Sequence, residues 1–314
     1  VFEMLQVKEV SVLALVLIAL TVPRGESYAV GEIQLRNEDS DGERIINGMP
    51  ANPGQFSYTV SLRIQINQGF PKQHACGGSL IRPDWVLTAA HCVRGFTEPD
   101  YDIRAGVVRL DDENAERRKA KKIYRHPKYD APDNDVALIQ LDKPFTVTEE
   151  YHQTTLPPSI PEGETAAPIT TPETVRPSNP NLHISLVKLD NGSNNLSTNC
   201  QISGWGLTSN GGYVSPQLLY ASVKFVEERS CFDKFVGFNT ITSNMVCYGG
   251  EDTDTCNGDS GGPLTCRTDQ GGLALVGITS FGKSCATPGT PGVYAKVSSA
   301  VSWIEKTIKE NSTE

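Results

Sequence analysis

Gly258-Asp259-Ser260-Gly261-Gly262-Pro263 sets a serine hydroxyl among glycines, with one carboxylate as its only bulky neighbour. Glycine at these positions lets the backbone turn so that N–H groups face the point where the serine oxygen attacks. A nucleophile beside such an anion pocket is what acyl transfer requires. Taken alone, the segment is equally a tight turn, so its meaning depends on partners elsewhere in the chain.

A serine hydroxyl is a weak nucleophile until a base takes its proton and a carboxylate orients that base. The five histidines, His74, His91, His126, His152 and His183, all precede Ser260. This order excludes the nucleophile elbow of α/β-hydrolases, which Gly258-x-Ser260-x-Gly262 also matches but which needs its histidine after the serine. His91 closes the apolar run Trp85-Val86-Leu87-Thr88-Ala89-Ala90-His91-Cys92, where a neighbouring disulfide would pin its backbone. Asp135 opens Val136-Ala137-Leu138-Ile139-Gln140-Leu141, a strand-like run. A charge at the lip of a buried strand is costly unless paired, and a histidine partner offsets that cost. A structural histidine and a strand-end aspartate are the plain readings of each alone; with Ser260 they form a triad.

Leu87-Thr88-Ala89-Ala90-His91-Cys92, Asn134-Asp135-Val136-Ala137-Leu138 and Gly258-Asp259-Ser260-Gly261-Gly262-Pro263 resemble, in order and spacing, the chymotrypsin–trypsin serine proteases. The likeness runs from Ile45 to about Thr307 and includes Ile202-Ser203-Gly204-Trp205-Gly206, Pro291-Gly292-Val293-Tyr294 and Val301-Ser302-Trp303-Ile304. It implies an all-β fold of two six-stranded antiparallel β-barrels with the active site in the cleft between them and a C-terminal α-helix. His91 and Asp135 would lie on the first barrel and Ser260 on the second. It also implies roles: His91 as base then acid, Asp135 as its orienter, Ser260 as the acylated nucleophile, the Gly258 and Ser260 N–H groups as the oxyanion hole, and Ser280 as support for Asp135.

Composition suits that class. With 314 residues, 38% hydrophobic and 21% charged, the chain can bury a sizeable core. Short β-like runs such as Tyr58–Arg63 and Leu273–Ile278 lie between Gly, Pro and Asn. The one helix expected is terminal, Ser298 to about Lys309, with Val301, Ile304 and Ile308 on one face. A formal charge of −9 argues against nucleic-acid binding. The basic run Arg117-Arg118-Lys119-Ala120-Lys121-Lys122 therefore reads as a solvated strand edge.

Eight cysteines suggest disulfides in an exported protein, with the pairing left open by sequence alone. The resemblance implies Cys76–Cys92, Cys200–Cys266, Cys231–Cys247 and Cys256–Cys285. A zinc site built from His74, Cys76, His91 and Cys92 would need a reducing compartment and would consume the base. No metal and no cofactor is expected; Asp111, Asp112 and Glu113 read as a solvated turn rather than a calcium loop.

Export is indicated by the apolar stretch Val10–Val22, too short to span a bilayer, so residues 1–27 read as a signal peptide and no membrane segment follows. Residues 28–44 read as an activation propeptide. Ile45-Ile46-Asn47-Gly48 resembles the new N-terminus of an activated family member, freed by a protease cutting after Arg44, whose ammonium pairs with Asp259. Residues 45–314 would be the protease domain. Within it, 157–199 is a Pro/Asn-rich insert between barrels, holding sequons at Asn191 and Asn195, with a third at Asn311.

By resemblance Asp254 lies at the base of the pocket for the residue before the cut. Gly282 and Gly292 leave that pocket open, Ser280 and Phe281 line the cleft, and Phe281 stands where the family has Trp. The implied protein is a secreted, extracellular, monomeric zymogen cutting peptides after Arg or Lys in digestive or general proteolysis, and met by protein protease inhibitors. A cascade processing protease and a non-catalytic homologue acting as a binding module are the alternatives.

Overall fold

The structure is a computed structural model that describes residues 48–65, 70–148, 182–208, 212–249, 255–283, 287 and 289–312. The strands are β1 (Met49–Pro50), β2 (Thr59–Ile64), β3 (Gln73–Arg82), β4 (Trp85–Thr88), β5 (Asp102–Ala105), β6 (Glu116–Arg118), β7 (Ala120–Arg125) and β8 (Ala137–Leu141). They continue with β9 (Lys188–Leu189), β10 (Leu196–Gly204), β11 (Leu219–Val226), β12 (Met245–Gly249), β13 (Pro263–Thr268), β14 (Leu273–Phe281) and β15 (Pro291–Lys296). Two α-helices are present among the described residues, α1 (Glu228–Phe235) and α2 (Val297–Asn311), with 3₁₀ turns at His91–Val93 and Glu98–Asp100.

The first sheet runs β6-β5-β2-β3-β4-β8-β7. Its two edge strands are consecutive in the chain, joined by Lys119 alone, so they extend one another instead of pairing. Counted as one bent strand, they leave six strands curling around a core that contains Leu62, Leu80, Trp85, Leu87, Ile103 and Leu138. β2 and β8 are buried along their whole length; β8 accordingly reads as a nearly continuous apolar run, whereas β2 alternates, its Thr59, Ser61 and Arg63 finding buried hydrogen-bond partners. Burying a side chain of this size stabilises by roughly 1.5–3 kcal/mol, so Trp85 and its neighbours carry much of this half.

In the second sheet β11-β10-β13-β14-β15-β12 close on themselves through β11–β12 pairing, giving a six-stranded barrel. β1 adds to β11, and β9 pairs in parallel with β14. Along α2, Val297, Ala300, Ile304 and Ile308 are buried, the 3.6-residue stripe that sequence periodicity anticipates. α1 was not anticipated. Only Cys231 and Phe235 are buried along it, one i,i+4 pair in eight residues, too short a stripe to register as a period.

The two halves clasp each other. β1, from the start of the described chain, crosses to the second sheet. In return, residues after 181 cover the first: Ile184 is buried there, Val187 N–H donates to Leu80 O (3.0 Å), and Ser57 and Ser185 hydroxyls meet at 2.7 Å. At the far end Gln140 Nε2 donates to Asn311 O of α2 (3.0 Å). The later part of the expected 157–199 insert is thus integral to the fold, carrying β9 and the start of β10; residues 157–181 lie outside the described residues.

Between the halves runs a polar seam. Tyr58 OH meets Thr265 Oγ1 at 3.1 Å, and Thr59 Oγ1 meets Ser203 Oγ at 3.0 Å, all buried. Such pairs meet the requirement that buried hydroxyls be hydrogen-bonded, and they fix the halves in one register.

Disulfides join Cys76–Cys92, Cys200–Cys266 and Cys231–Cys247, as the resemblance implied. Cys256 is also disulfide-bonded; Cys285, its expected partner, lies outside the described residues.

Candidate active site

The segment carrying Ser260 follows Cys256 and leads into β13. Gly258 and Gly261 both have positive φ, 98° and 78°, a region costly for residues with a Cβ. A Cβ on Gly261 would also fall 2.2 Å from Thr88 Oγ1 and 2.6 Å from Gly77 O. The Ser260 loop therefore lies directly on β3 and β4 of the other half. Gly77 N–H donates to Ser260 O at 2.8 Å and secures that contact.

Around this loop the amides are spent selectively. Asp259 N–H donates to Cys256 O, Gly261 N–H to Thr279 O and Gly262 N–H to Asp259 O, at 3.0, 2.8 and 2.9 Å. Among the described residues, the N–H groups of Gly258 and Ser260 donate to nothing. Two unspent donors, one on a half-buried serine and one two residues before it, could receive a developing negative charge.

His91 sits in a 3₁₀ turn just after β4, behind the fully buried Ala89 and Ala90 and beside the Cys76–Cys92 bridge. Asp135 lies just before β8, and only 3% of its side chain is exposed, against 34% for His91. One carboxylate oxygen accepts from His91 N–H (2.9 Å). The other accepts from His91 Nδ1–H (2.7 Å) and from the Ser280 hydroxyl (2.6 Å). Burial opposes ionisation of both groups. The charge of each on the other and the shared hydrogen bonds outweigh it, raising the His91 pKa above the ordinary imidazole value and lowering that of Asp135. With Nδ1 committed as donor, Nε2 of the neutral ring is the basic atom.

Ser280 reaches Asp135 because the β14–β15 register slips there: Thr279 faces Tyr294 and Phe281 faces Val293, leaving Ser280 as the extra residue of a bulge. Among the described residues no hydrogen bond joins Ser260 Oγ to His91; Nε2 lies 3.8 Å from Cys92 Sγ. Substrate-free sites commonly hold this contact loosely.

Residues that sequence reasoning passed over secure these groups. Asp133, two positions before Asp135, accepts from Thr242 Oγ1 (2.6 Å) and Asn244 Nδ2 (3.2 Å) of the second half, and from Asn134 Nδ2 (2.7 Å). It ties the loop bearing Asp135 to the opposite barrel. His74 is fully buried; burial, opposed by a hydrogen bond to Gly258 O and reinforced by the charge of Arg63, pushes its pKa down to about 4. The ring is therefore neutral at physiological pH. Because a carbonyl only accepts, Nε2–H donates to Gly258 O (3.0 Å) and Nδ1 accepts from Ser61 (2.8 Å). That carbonyl belongs to the Gly258–Asp259 peptide, which lies between the peptides carrying the Gly258 and Ser260 amides, so His74 anchors the middle of the loop.

Asp259 is 1% exposed; its carboxylate accepts from Gly206 N–H (2.8 Å) and Cys256 N–H (3.0 Å). A Cβ on Gly204 or Gly206 would lie 2.0 or 2.4 Å from its oxygens. Both glycines stood in the sequence as likeness only; their reason is this carboxylate. Its expected partner Ile45, with Arg44, and Asp254, expected at the base of the pocket, lie outside the described residues. Gly292 is buried on β15 opposite Tyr248, and Gly282 is exposed with open space around it.

The cysteines beside His91 are joined to each other, so their sulfurs are not available as metal ligands. Asp111 is bound to Arg109 and Asp112 to Asn114, so the acids of that turn do not converge. Asn191 and Asn195 are exposed; Asn191 accepts from the Ser193 hydroxyl of its own sequon, while Asn195 Nδ2 donates to Asp269. Asn311 ends α2 with its Nδ2 bound to Thr307 O. Among the described residues no helix is long and apolar enough to cross a membrane.

A family model described as Trypsin matches residues 45–304. Among curated proteins, cationic trypsin-3 of Rattus norvegicus is 34% identical, with 87% of this chain and 93% of the relative covered. Anionic trypsin of Bos taurus is 34% identical over 87% and 92% of the two chains. Chymotrypsin-like elastase family member 3B of Macaca mulatta is 33% identical over 84% and 93%. Taken with the barrel pair and the serine loop between glycines, these matches identify the chain as a member of the trypsin family of serine proteases, a serine endopeptidase of the hydrolase class.

Proposed function

We propose that the chain is a secreted zymogen whose activated form, residues 45–314, hydrolyses peptide bonds after Arg or Lys through His91, Asp135 and Ser260. The observation that carries the catalytic part is the pairing of a thrice-bonded Asp135 on His91 with two unspent amides at Gly258 and Ser260. His91 Nε2 takes the Ser260 proton as Oγ attacks the carbonyl carbon, and the resulting oxyanion sits on the two amides. His91 returns the proton to the departing amine, leaving an acyl-serine. Water, activated by the same nitrogen, then releases the acid.

We rest specificity on Asp254, since two trypsins and an elastase are about equally similar to this chain. The partners that follow are protein or peptide substrates, an activating protease that cuts after Arg44, and protein inhibitors that occupy the cleft. We place the protein outside the cell as a monomer, with residues 1–27 removed and 28–44 as the propeptide. The test is kcat/KM on matched peptides with Arg, Lys, Phe or Leu before the cut, after cleavage following Arg44. Failure of that enzyme to react with a serine acylator would favour the binding-module alternative.

Arg44→Gln should yield a soluble protein that stays inactive under trypsin treatment. Without cutting there is no ammonium at Ile45, and a buried carboxylate without a counter-charge is too costly to hold the loop in order. Full activity of this variant, with its intact N-terminus confirmed by mass spectrometry, would sink the activation scheme.

The pH profile carries a second expectation. His91 must be neutral to act as base, and its pKa is raised, so the acidic limb of kcat/KM should fall above the ordinary imidazole value of about 6.5. The same shift means that the stability linked to His91 protonation is fully present below about 6.5 and is lost as pH rises through the raised value, while that linked to the lowered Asp135 is present above about 3.9 and is lost as pH falls through its lowered value. Asp135→Asn removes the charge that raises it and should move the acidic limb downward while cutting the rate. An unmoved limb would contradict the pairing.

A further inference from the structure

Next to the proposed catalytic centre stands an aromatic cluster capped by a lysine that no carboxylate among the described residues neutralises. Phe281 directly follows Ser280, whose hydroxyl touches Asp135. Its ring meets Phe235, the last residue of α1, edge-on at 5.7 Å, and Phe235 meets Phe238 at 6.1 Å. Lys283 Nζ lies over both, 5.7 Å from the Phe235 centroid and 5.9 Å from that of Phe238. Gly282 between them faces open space. Phe235 is fully buried, but Phe238 and Val236 are 49% and 63% exposed, so the cluster opens to solvent.

Lys234, on α1 beside Phe235, adds a second exposed ammonium. Among the described residues neither lysine has an acidic partner; Asp233, the nearest acid in sequence, is bound to Arg229. Against a formal charge of −9 for the whole chain, two lysines that pair with no acid among the described residues are a local departure. Exposed apolar groups gathered beside a catalytic centre mark contact surface more often than scattered ones do.

We propose that Phe281, Phe235, Phe238 and Lys283 form a substrate subsite selecting an acidic residue in the peptide flanking the scissile bond. The inference rests on the serine endopeptidase reading above. Contact with the two rings pre-positions the Lys283 ammonium, so little side-chain freedom is lost when a carboxylate arrives. The rings also exclude water on one side, which strengthens the pair relative to one in open solvent. A lysine or arginine at the same substrate position meets like charge and is disfavoured.

The experiment uses the activated full-length enzyme and quenched peptides with one cleavable Arg, carrying Glu, Gln or Lys in turn at each position near the cut on either side. At one position the parent should favour Glu over Lys by about fivefold in kcat/KM, the order expected for a partly exposed pair. In Lys283→Ala the preference should vanish, in Lys283→Glu it should reverse, and in about 0.5 M salt it should shrink. A minimal arginine ester without flanking residues should be cut equally by all three enzymes, because Lys283 touches no catalytic group. Equal ester rates with no Glu preference at any position, or with one that Lys283→Glu leaves unchanged, would overturn the subsite. An ester that even the parent does not cut would instead overturn the endopeptidase reading on which the subsite depends.

Discussion

Ser260→Ala, cut after Arg44, should fold like the parent and lose on the order of 10⁶ in kcat. The two halves of that expectation have separate grounds. Ser260 is tied to the fold through its carbonyl, which accepts from Gly77 N–H, and that bond survives the substitution. The hydroxyl makes no hydrogen bond among the described residues, so its removal leaves nothing buried without a partner and should shift stability by no more than about 0.5 kcal/mol. His91→Ala should cost a similar factor in rate, and the double variant little more, because the two act as one unit. Here stability should also fall, by about 1–3 kcal/mol, since the buried Asp135 loses the Nδ1 donor and keeps only the His91 amide and Ser280. Single-turnover kinetics and thermal melts on the three variants separate these effects. Substantial turnover by His91→Ala would remove it from the mechanism.

Asp254→Ser should lower kcat/KM on arginine substrates by roughly 10⁴ without yielding an efficient enzyme for Phe or Tyr. A carboxylate at the end of a narrow pocket loses hydration when substrate enters, and an apolar side chain returns nothing. Arginine returns a charged partner with several donors, and lysine a point charge. The serine variant loses that return, while Gly282, Gly292 and the Phe281 wall stay as they are, so the pocket gains no complementarity to a ring. Matched peptides differing only in the residue before the cut decide it. Comparable parental values for Arg and Phe would place Asp254 outside the pocket.

What the sequence disclosed depended on how local each signal is. Val136–Leu141 and the C-terminal stripe announced β8 and α2 because their apolar patterns are complete within one element. The proposed catalytic constellation is a reading of motif order, since each of its residues sits in a short distinctive string. The bond from His74 to Gly258 spans 184 residues, and the Thr242–Asp133 bond spans 109. A polar residue whose partner lies that far away leaves no periodic trace. His74 looked like one histidine among several until burial and the Gly258 carbonyl gave it a tautomer and a task. Gly204 and Gly206 were visible as a motif, yet their necessity is a packing fact, set by a carboxylate more than fifty positions downstream.

The clasp between the halves bears on what a cut in the linker would do. Each of the three disulfides pairs cysteines from the same half, so a nick between 148 and 182 would leave two chains with no covalent tie among the described bridges. They would still be interlocked: β1 is enlisted in the second sheet, residues from 182 onward lie on the first, and the end of α2 holds β8. Nicking would thus convert a folding problem into an association problem. The native protein would persist as a two-chain complex, and once pulled apart its recovery would follow mass action rather than a first-order refolding step.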